Sequence, residues 1–91
     1  MKVKICGIDY KVNECDNNFT ANAISFGEVD YKKGVILLNN ELSDDIKSET
    51  LCHEILHAML VYIGRSDLSE DETFVCSLGN AINQTFEVKH E

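Results

Sequence analysis

The sequence predicts an α+β fold in which a small antiparallel sheet of three to four strands packs against two main helices. Short runs rich in Val and Ile, separated by turn residues, fill the first 40 residues. The apolar residues then change to a helical period. Because 91 residues suffice for one domain, we expect a single domain over 1–91, with the sheet in 1–40 and helices in 43–63 and 69–87.

The predicted strands are separated by turn and loop residues. The first two strands alternate loosely and meet at Gly7, which predicts a hairpin. A loop-like stretch, DNNFTANA, follows. The irregular alternation of AISFGEVDY predicts a strand with a bulge near Gly27. A turn containing Gly34 leads to the apolar run VILLN. The expected strands are residues 2–6, 8–15, 23–31 and 35–39.

Each predicted helix begins at a serine. Ser43 is followed by two aspartates and has the features of an N-cap with an acidic first turn. We expect this helix to continue to about Ile63, with Gly64 just past its end. After a short loop, Ser69 and Glu72 have the spacing of a capping box, which predicts that the second helix opens at Ser69.

Composition excludes several classes of function. The net charge is −8 and no cluster of basic residues offsets it, so nucleic-acid binding is not expected. No apolar stretch is long enough for a signal peptide or a membrane span, so we expect a cytoplasmic protein without membrane association. The four cysteines form no CxxC pair. We therefore expect them to be reduced and mostly buried.

The stretch TLCHEILHAML carries the pattern HExxH in the first predicted helix. Four residues span about one helical turn, so His53 and His57 lie on the same face and can bind one metal ion. Zinc is the ion expected for such a pair. Glu54 lies about 100° around the helix axis from His53. It is therefore beside the ion without being a ligand, where it can accept a proton from water as a general base.

The alternative for the two histidines is a position at the edge of the core, bonded to backbone carbonyl groups. The residues that surround the motif are largely apolar. Burying two imidazoles and a carboxylate without partners would cost several kcal/mol. This cost favours a metal site over the alternative.

The third ligand is less constrained by the sequence. A catalytic zinc usually has three protein ligands and an open position, but the remaining histidine, His90, lies in the C-terminal tail. A carboxylate at the start of the second helix can complete the set. Glu72 is preferred because it shares a helix side with Val75 and Gly79 that can face the first helix. It could instead serve only as the capping partner of Ser69. The carboxylates in order of preference are Glu72, Asp71 and Glu70.

The motif and the segment LSEDETFVCSLGNAI after it resemble the small zincin-like metallopeptidases of phages and bacterial mobile elements, distant relatives of the ImmA/IrrE-type peptidases. The likeness covers most of the chain, including GEVDYKKGVILLN before the motif helix. It implies a minimal zincin fold, a zinc ion held by His53, His57 and an acid of the next helix, and Glu54 as general base. Matching the second helix to the family pattern places that acid at Glu72, with Thr73 where the family usually has a second acid.

The implied activity is zinc-dependent hydrolysis of a peptide or protein substrate. One alternative is a non-catalytic regulatory or binding module with a structural zinc, since a bound ion stabilises a small chain. A metal-dependent nuclease is disfavoured by the acidic charge. A chain of 91 residues has little surface for a deep specificity cleft, so a partner protein or self-association is a further expectation.

Two features of the implied activity stay open. The donor for the developing oxyanion could be any of three tyrosines, Tyr10, Tyr31 and Tyr62. An extended substrate would pair with an exposed sheet edge, for which the candidates are residues 24–31 and 35–39.

Overall fold

The computed structural model describes residues 1–16 and 26–91, which form four strands followed by three helices. This order confirms the predicted α+β class. Residues 17–25, which include the first part of the predicted strand 23–31, lie outside the described residues. The elements are β1 (Lys2–Ile5), β2 (Ile8–Cys15), β3 (Gly27–Asp30), β4 (Val35–Asn39), α1 (Asp44–Tyr62), α2 (Ser66–Ser69) and α3 (Glu72–Thr85).

The sheet is mixed, so the prediction of a purely antiparallel sheet is wrong. Its strand order is β1-β2-β4-β3. The β1–β2 and β3–β4 pairs are antiparallel, whereas β2 and β4 run parallel. The apolar strand β4 is a central strand and buries Ile36 and Leu38, whereas β3, with the more polar sequence GEVD, is an edge strand. Burial of the most apolar strand explains why β4, and not β3, is placed beside β2.

Strand β1 has neighbours on both sides. A two-residue turn joins it to β2, with positive φ at both Cys6 and Gly7, as the tight hairpin at Gly7 requires. On its other side, Lys2 and Glu91 exchange two backbone hydrogen bonds of 2.8 Å, and His90 forms a bridge to the strand. Among the described residues, β3 is therefore the edge of the sheet that no further strand covers.

Gly27 is required for close packing of α1 against β3 and not for a bulge. The β3–β4 register continues without interruption through the pair Gly27 and Leu38. A Cβ atom at position 27 would lie 2.8 Å from Thr50 Cγ2 and 2.9 Å from the Leu37 carbonyl oxygen. The predicted bulge is therefore wrong, and the glycine instead lets the motif helix approach the edge strand.

The helices form two successive layers on one face of the sheet. Helix α1 contacts the sheet directly, and α3 packs on α1 and α2. We expected both main helices to pack on the sheet itself, and for α3 this is wrong among the residues described. The core between α1 and the sheet contains Val3, Ile5, Tyr10, Val12, Ile36, Leu38, Leu51 and Ala58. A smaller cluster between the helices contains Leu56, Leu60 and Val75.

Helix α1 begins and ends as its sequence predicts. The Ser43 side chain accepts a hydrogen bond of 3.3 Å from the Ile46 amide, and two aspartates follow it in the first turn. Gly64, with φ of 81°, lies just past the C-terminal end. The HExxH motif therefore occupies the middle of a 19-residue helix, where its backbone geometry is regular.

The second long helix begins three residues later than predicted. Ser69 is the last residue of the short helix α2, and it does not cap α3. Asp71 takes the N-cap position, where its Oδ1 accepts a hydrogen bond of 3.1 Å from the Phe74 amide. The expected capping box between Ser69 and Glu72 is therefore absent, which leaves both side chains available for other contacts.

The remaining predictions concern cysteines and membranes. All four cysteines are free, as expected, but Cys6 and Cys76 are exposed and only Cys52 is buried. The expectation that they are mostly buried is therefore wrong. In the described part of the chain, no helix combines the length and apolar character needed to cross a bilayer.

Candidate metal centre

The regular geometry of α1 brings the two imidazole rings of the motif together. His53 Nε2 and His57 Nε2 lie 3.1 Å apart, and the ring centroids lie 4.7 Å apart with an interplanar angle of 71°. The side chains are 22% and 15% exposed, respectively. One nitrogen of each ring therefore points to a shared, partly buried position.

Glu72 reaches the same position from the start of α3. Its Oε2 lies 3.2 Å from His53 Nε2, and its Oε1 lies 2.8 Å from His57 Nε2. One ligand atom from each of the three residues falls within 4.8 Å of the others. Two imidazole nitrogens and one carboxylate oxygen form a donor set that fits zinc.

The other residues considered for the third ligand are engaged elsewhere. Asp71 caps α3, and His90 pairs with β1 at the far edge of the sheet. Glu70 is exposed and does not belong to the group of three. Within the described ranges, Glu72 is thus the acid that the fold brings to the histidines, in agreement with the order of preference from the sequence.

The three converging atoms need a hydrogen or a cation between them. A neutral imidazole presents a lone pair at one nitrogen, and a carboxylate presents lone pairs at both oxygens. Such atoms at about 3 Å repel one another unless a proton or a metal cation lies among them. Burial lowers the pKa of His53, whereas the charge of Glu72 acts in the opposite direction.

Glu54 is a buried carboxylate next to the histidines. It is 9% exposed, and it does not belong to the group of three ligand atoms. Burial raises the pKa of Glu54 to about 7, and the charges of Glu72 and Glu28 contribute in the same direction. The structure therefore places a carboxylate with an unusually high proton affinity beside the predicted metal position, where the helical spacing of the motif predicts it.

The other ring nitrogen of each imidazole, Nδ1, makes a contact of its own. His57 Nδ1 lies 3.0 Å from Ser69 Oγ, and His53 Nδ1 lies 3.8 Å from Cys76 Sγ. Sequence reasoning missed the contact of Ser69, because the spacing between Ser69 and Glu72 indicated a helix cap. No local pattern marks it, since the contact depends on how α2 folds back against α1.

An open cavity of about 370 Å³ adjoins His53, between β3, α1 and the middle of α3. His53 and Glu54 line it from α1, and Phe26 and Gly27 line it from the sheet. Glu49 and Asn80 add further polar groups. The lining carries carboxylates but no lysine or arginine among the described residues, so the cavity presents an acidic surface next to the motif.

The three tyrosines differ in their relation to this site. The Tyr10 and Tyr62 hydroxyls are hydrogen-bonded to each other. Tyr31 is half-exposed, and burial raises the pKa of its phenol, with the Glu54 charge acting in the same direction and a hydrogen bond to Ser69 acting against it. Tyr31 is therefore the tyrosine that interacts with both Glu54 and the serine that contacts His57.

Comparisons of the chain with protein-family models, with curated protein sequences and with solved structures found no significant match.

Proposed function

We propose that the chain is a zinc-dependent metallopeptidase of the zincin-like type. His53, His57 and Glu72 would hold the ion, and Glu54 would act as the general base. The observation that carries this proposal is the convergence of two imidazole nitrogens and a carboxylate oxygen within 4.8 Å. A buried carboxylate at 9% exposure lies directly beside them on the same helix.

The chain's own residues account for the proton transfers of peptide hydrolysis. Bound zinc would acidify a water molecule and polarise the scissile carbonyl group. Glu54 accepts the proton of the attacking water, because burial raises its pKa to about 7. It then donates that proton to the departing amine. The residues that would hold the ion come from α1 and α3, so the contact between these helices sets their relative positions.

We place the substrate in the cavity between β3 and α1, with its backbone along β3. Of the two strands considered from the sequence, β4 lies inside the sheet between β2 and β3, so it offers no edge. The Asn39 amide donates to the Phe26 carbonyl oxygen, so the backbone groups of residues 26, 28 and 30 face β4. In an antiparallel pair this direction alternates along the strand, so the Val29 amide points to the outer edge. An extended peptide would pair there by main-chain hydrogen bonds. Slower hydrogen exchange at Val29 on peptide binding supports this placement, and unchanged exchange contradicts it.

A structural zinc in a non-catalytic module is the second candidate function. It is favoured by the small apolar cluster between the long helices, which contains Leu56, Leu60 and Val75. An ion bound by residues of both helices would stabilise this contact. A structural site does not, however, require the buried carboxylate of Glu54, whose desolvation destabilises the fold. The burial of Glu54 therefore favours the peptidase.

The deciding experiment compares the wild-type protein with Glu54→Gln and with Glu87→Gln, an exposed position past the end of α3 that does not line the cavity. Zinc content and cleavage of a mixed-sequence fluorogenic peptide library are measured for all three. A peptidase loses about 100- to 10,000-fold in rate in Glu54→Gln while it keeps its zinc, and Glu87→Gln remains active. Zinc binding without cleavage of any peptide by the wild-type protein would favour the structural site instead.

A further inference from the structure

The Ser69 hydroxyl contacts two different atoms of His57. Its Oγ lies 3.0 Å from His57 Nδ1 and 3.3 Å from the His57 backbone carbonyl oxygen. The side chain is only 7% exposed. Ser69 ends the short helix α2, which packs against α1, so the backbone fixes the hydroxyl beneath the imidazole.

The partners of the Ser69 hydroxyl indicate which nitrogen of His57 carries the hydrogen. A serine hydroxyl has one hydrogen to donate, and the carbonyl oxygen of His57 can only accept. With its hydrogen donated to that carbonyl, the Ser69 hydroxyl has two lone pairs left, which accept from His57 Nδ1 and from the Tyr31 phenol that also bonds to Ser69. Nδ1 therefore carries a hydrogen, and Nε2 presents its lone pair to the position shared with His53 and Glu72.

We infer that Ser69 is a positioning residue, which holds His57 in the orientation and tautomer that bind a metal ion through Nε2. This inference rests on the proposed zinc site. Partners of the non-ligating nitrogen orient metal-binding histidines in general, and their loss typically weakens metal affinity about 10- to 100-fold.

Cys76 contacts the other histidine in a similar but weaker way. Its Sγ lies 3.8 Å from His53 Nδ1, and the thiol is exposed. Sulfur is a weak hydrogen-bond acceptor. The Ser69 contact is shorter and buried, so we expect Ser69 to contribute more to metal affinity than Cys76 does.

The first test measures zinc affinity by competition with a chelator. Ser69→Ala removes the hydroxyl with little change in volume, and Ser77→Ala, at an exposed position of α3, is the matched control. The inference predicts affinity about 10- to 100-fold weaker in Ser69→Ala, a smaller loss in Cys76→Ala, and no change in Ser77→Ala. Equal affinity of Ser69→Ala and wild type, with the fold retained, overturns the inference while the zinc site itself stands. A wild-type protein that binds no zinc overturns both.

The second test needs no variant and separates positioning from a purely structural role. Imidazole ¹⁵N and ¹H resonances are recorded for the zinc-loaded wild-type protein. The inference predicts that zinc is bound to His57 Nε2 and that the Nδ1 hydrogen exchanges slowly with solvent, in contrast to the ring hydrogens of exposed His90. Coordination through Nδ1, or exchange at His57 as fast as at His90, would overturn it even if Ser69→Ala does not fold.

Discussion

Replacing Glu54 by glutamine is expected to stabilise the metal-free protein near neutral pH. Burial raises the pKa of Glu54 from 4.5 to about 7, so the folded state resists its ionisation. Each pKa unit corresponds to about 1.4 kcal/mol between the two protonation states, which gives about 3 kcal/mol for this difference. Glutamine has the same shape and no charge, so it removes this cost of ionisation.

The pH range of the effect follows from the sign of the pKa change. A carboxyl group whose pKa is raised by folding contributes fully below its unfolded value, and this contribution is lost as pH rises through the folded value. The free energy of unfolding of wild type should therefore fall relative to that of Glu54→Gln as pH rises from about 4.5 through about 7.

The assay is urea unfolding in the presence of a chelator at a series of pH values. The difference between Glu54→Gln and wild type should grow by about 3 kcal/mol from acidic to mildly alkaline pH. The exposed control Glu49→Gln should show a small effect throughout. A difference between wild type and Glu54→Gln that does not change with pH would refute the reasoning from burial.

Three further outcomes test the packing and the site. Gly27→Ala should lower the free energy of unfolding by about 1–3 kcal/mol in urea titrations, because the new Cβ lies 2.8 Å from Thr50 Cγ2; an unchanged midpoint would contradict the close approach. Asp71→Ala should cost about 1 kcal/mol in the same titrations by removing the N-cap of α3, with zinc affinity retained; a loss of zinc would place Asp71 at the metal. Peptides with lysine or arginine should be cleaved faster than matched peptides with acidic residues, and Glu49→Lys should reduce this preference; no preference in steady-state rates would count against binding in the acidic cavity.

Local patterns predicted much of the fold. The four-residue spacing of His53 and His57 depends only on helix geometry, so it gave the correct face without knowledge of the tertiary structure. The start of α1 at Ser43 and its end before Gly64 also depend on nearby backbone groups. These features are determined within a few residues of the chain, which is why the sequence was sufficient.

Contacts between distant segments account for the errors. The parallel pairing of β2 with β4 depends on where β3 is placed, and the polar sequence GEVD beside the apolar VILLN was the available signal that β4 lies inside. Ser69 and Asp71 both precede α3 and both can cap a helix. The contact of Ser69 with His57, which lies 12 residues earlier, decides between them. The local sequence contains no information about this contact.

The sequence predicted the convergence of Glu72 on the histidines only in part. The sequence placed three acids at the start of the second helix and ranked Glu72 first by helix side. It could not exclude Asp71, because the position of the N-cap was uncertain. In the structure Asp71 caps α3, and Glu72 is the acid whose carboxylate lies beside the histidines.

The most direct test of the central claim is the zinc stoichiometry and affinity of purified protein, compared among wild type, His53→Ala, His57→Ala, Glu72→Ala and the exposed control Glu70→Ala. We predict one tightly bound zinc ion per chain in wild type and in Glu70→Ala. We predict loss of zinc in both histidine variants and much weaker binding in Glu72→Ala. A wild-type protein without affinity for zinc, or zinc retained after replacement of both histidines, would contradict the claim.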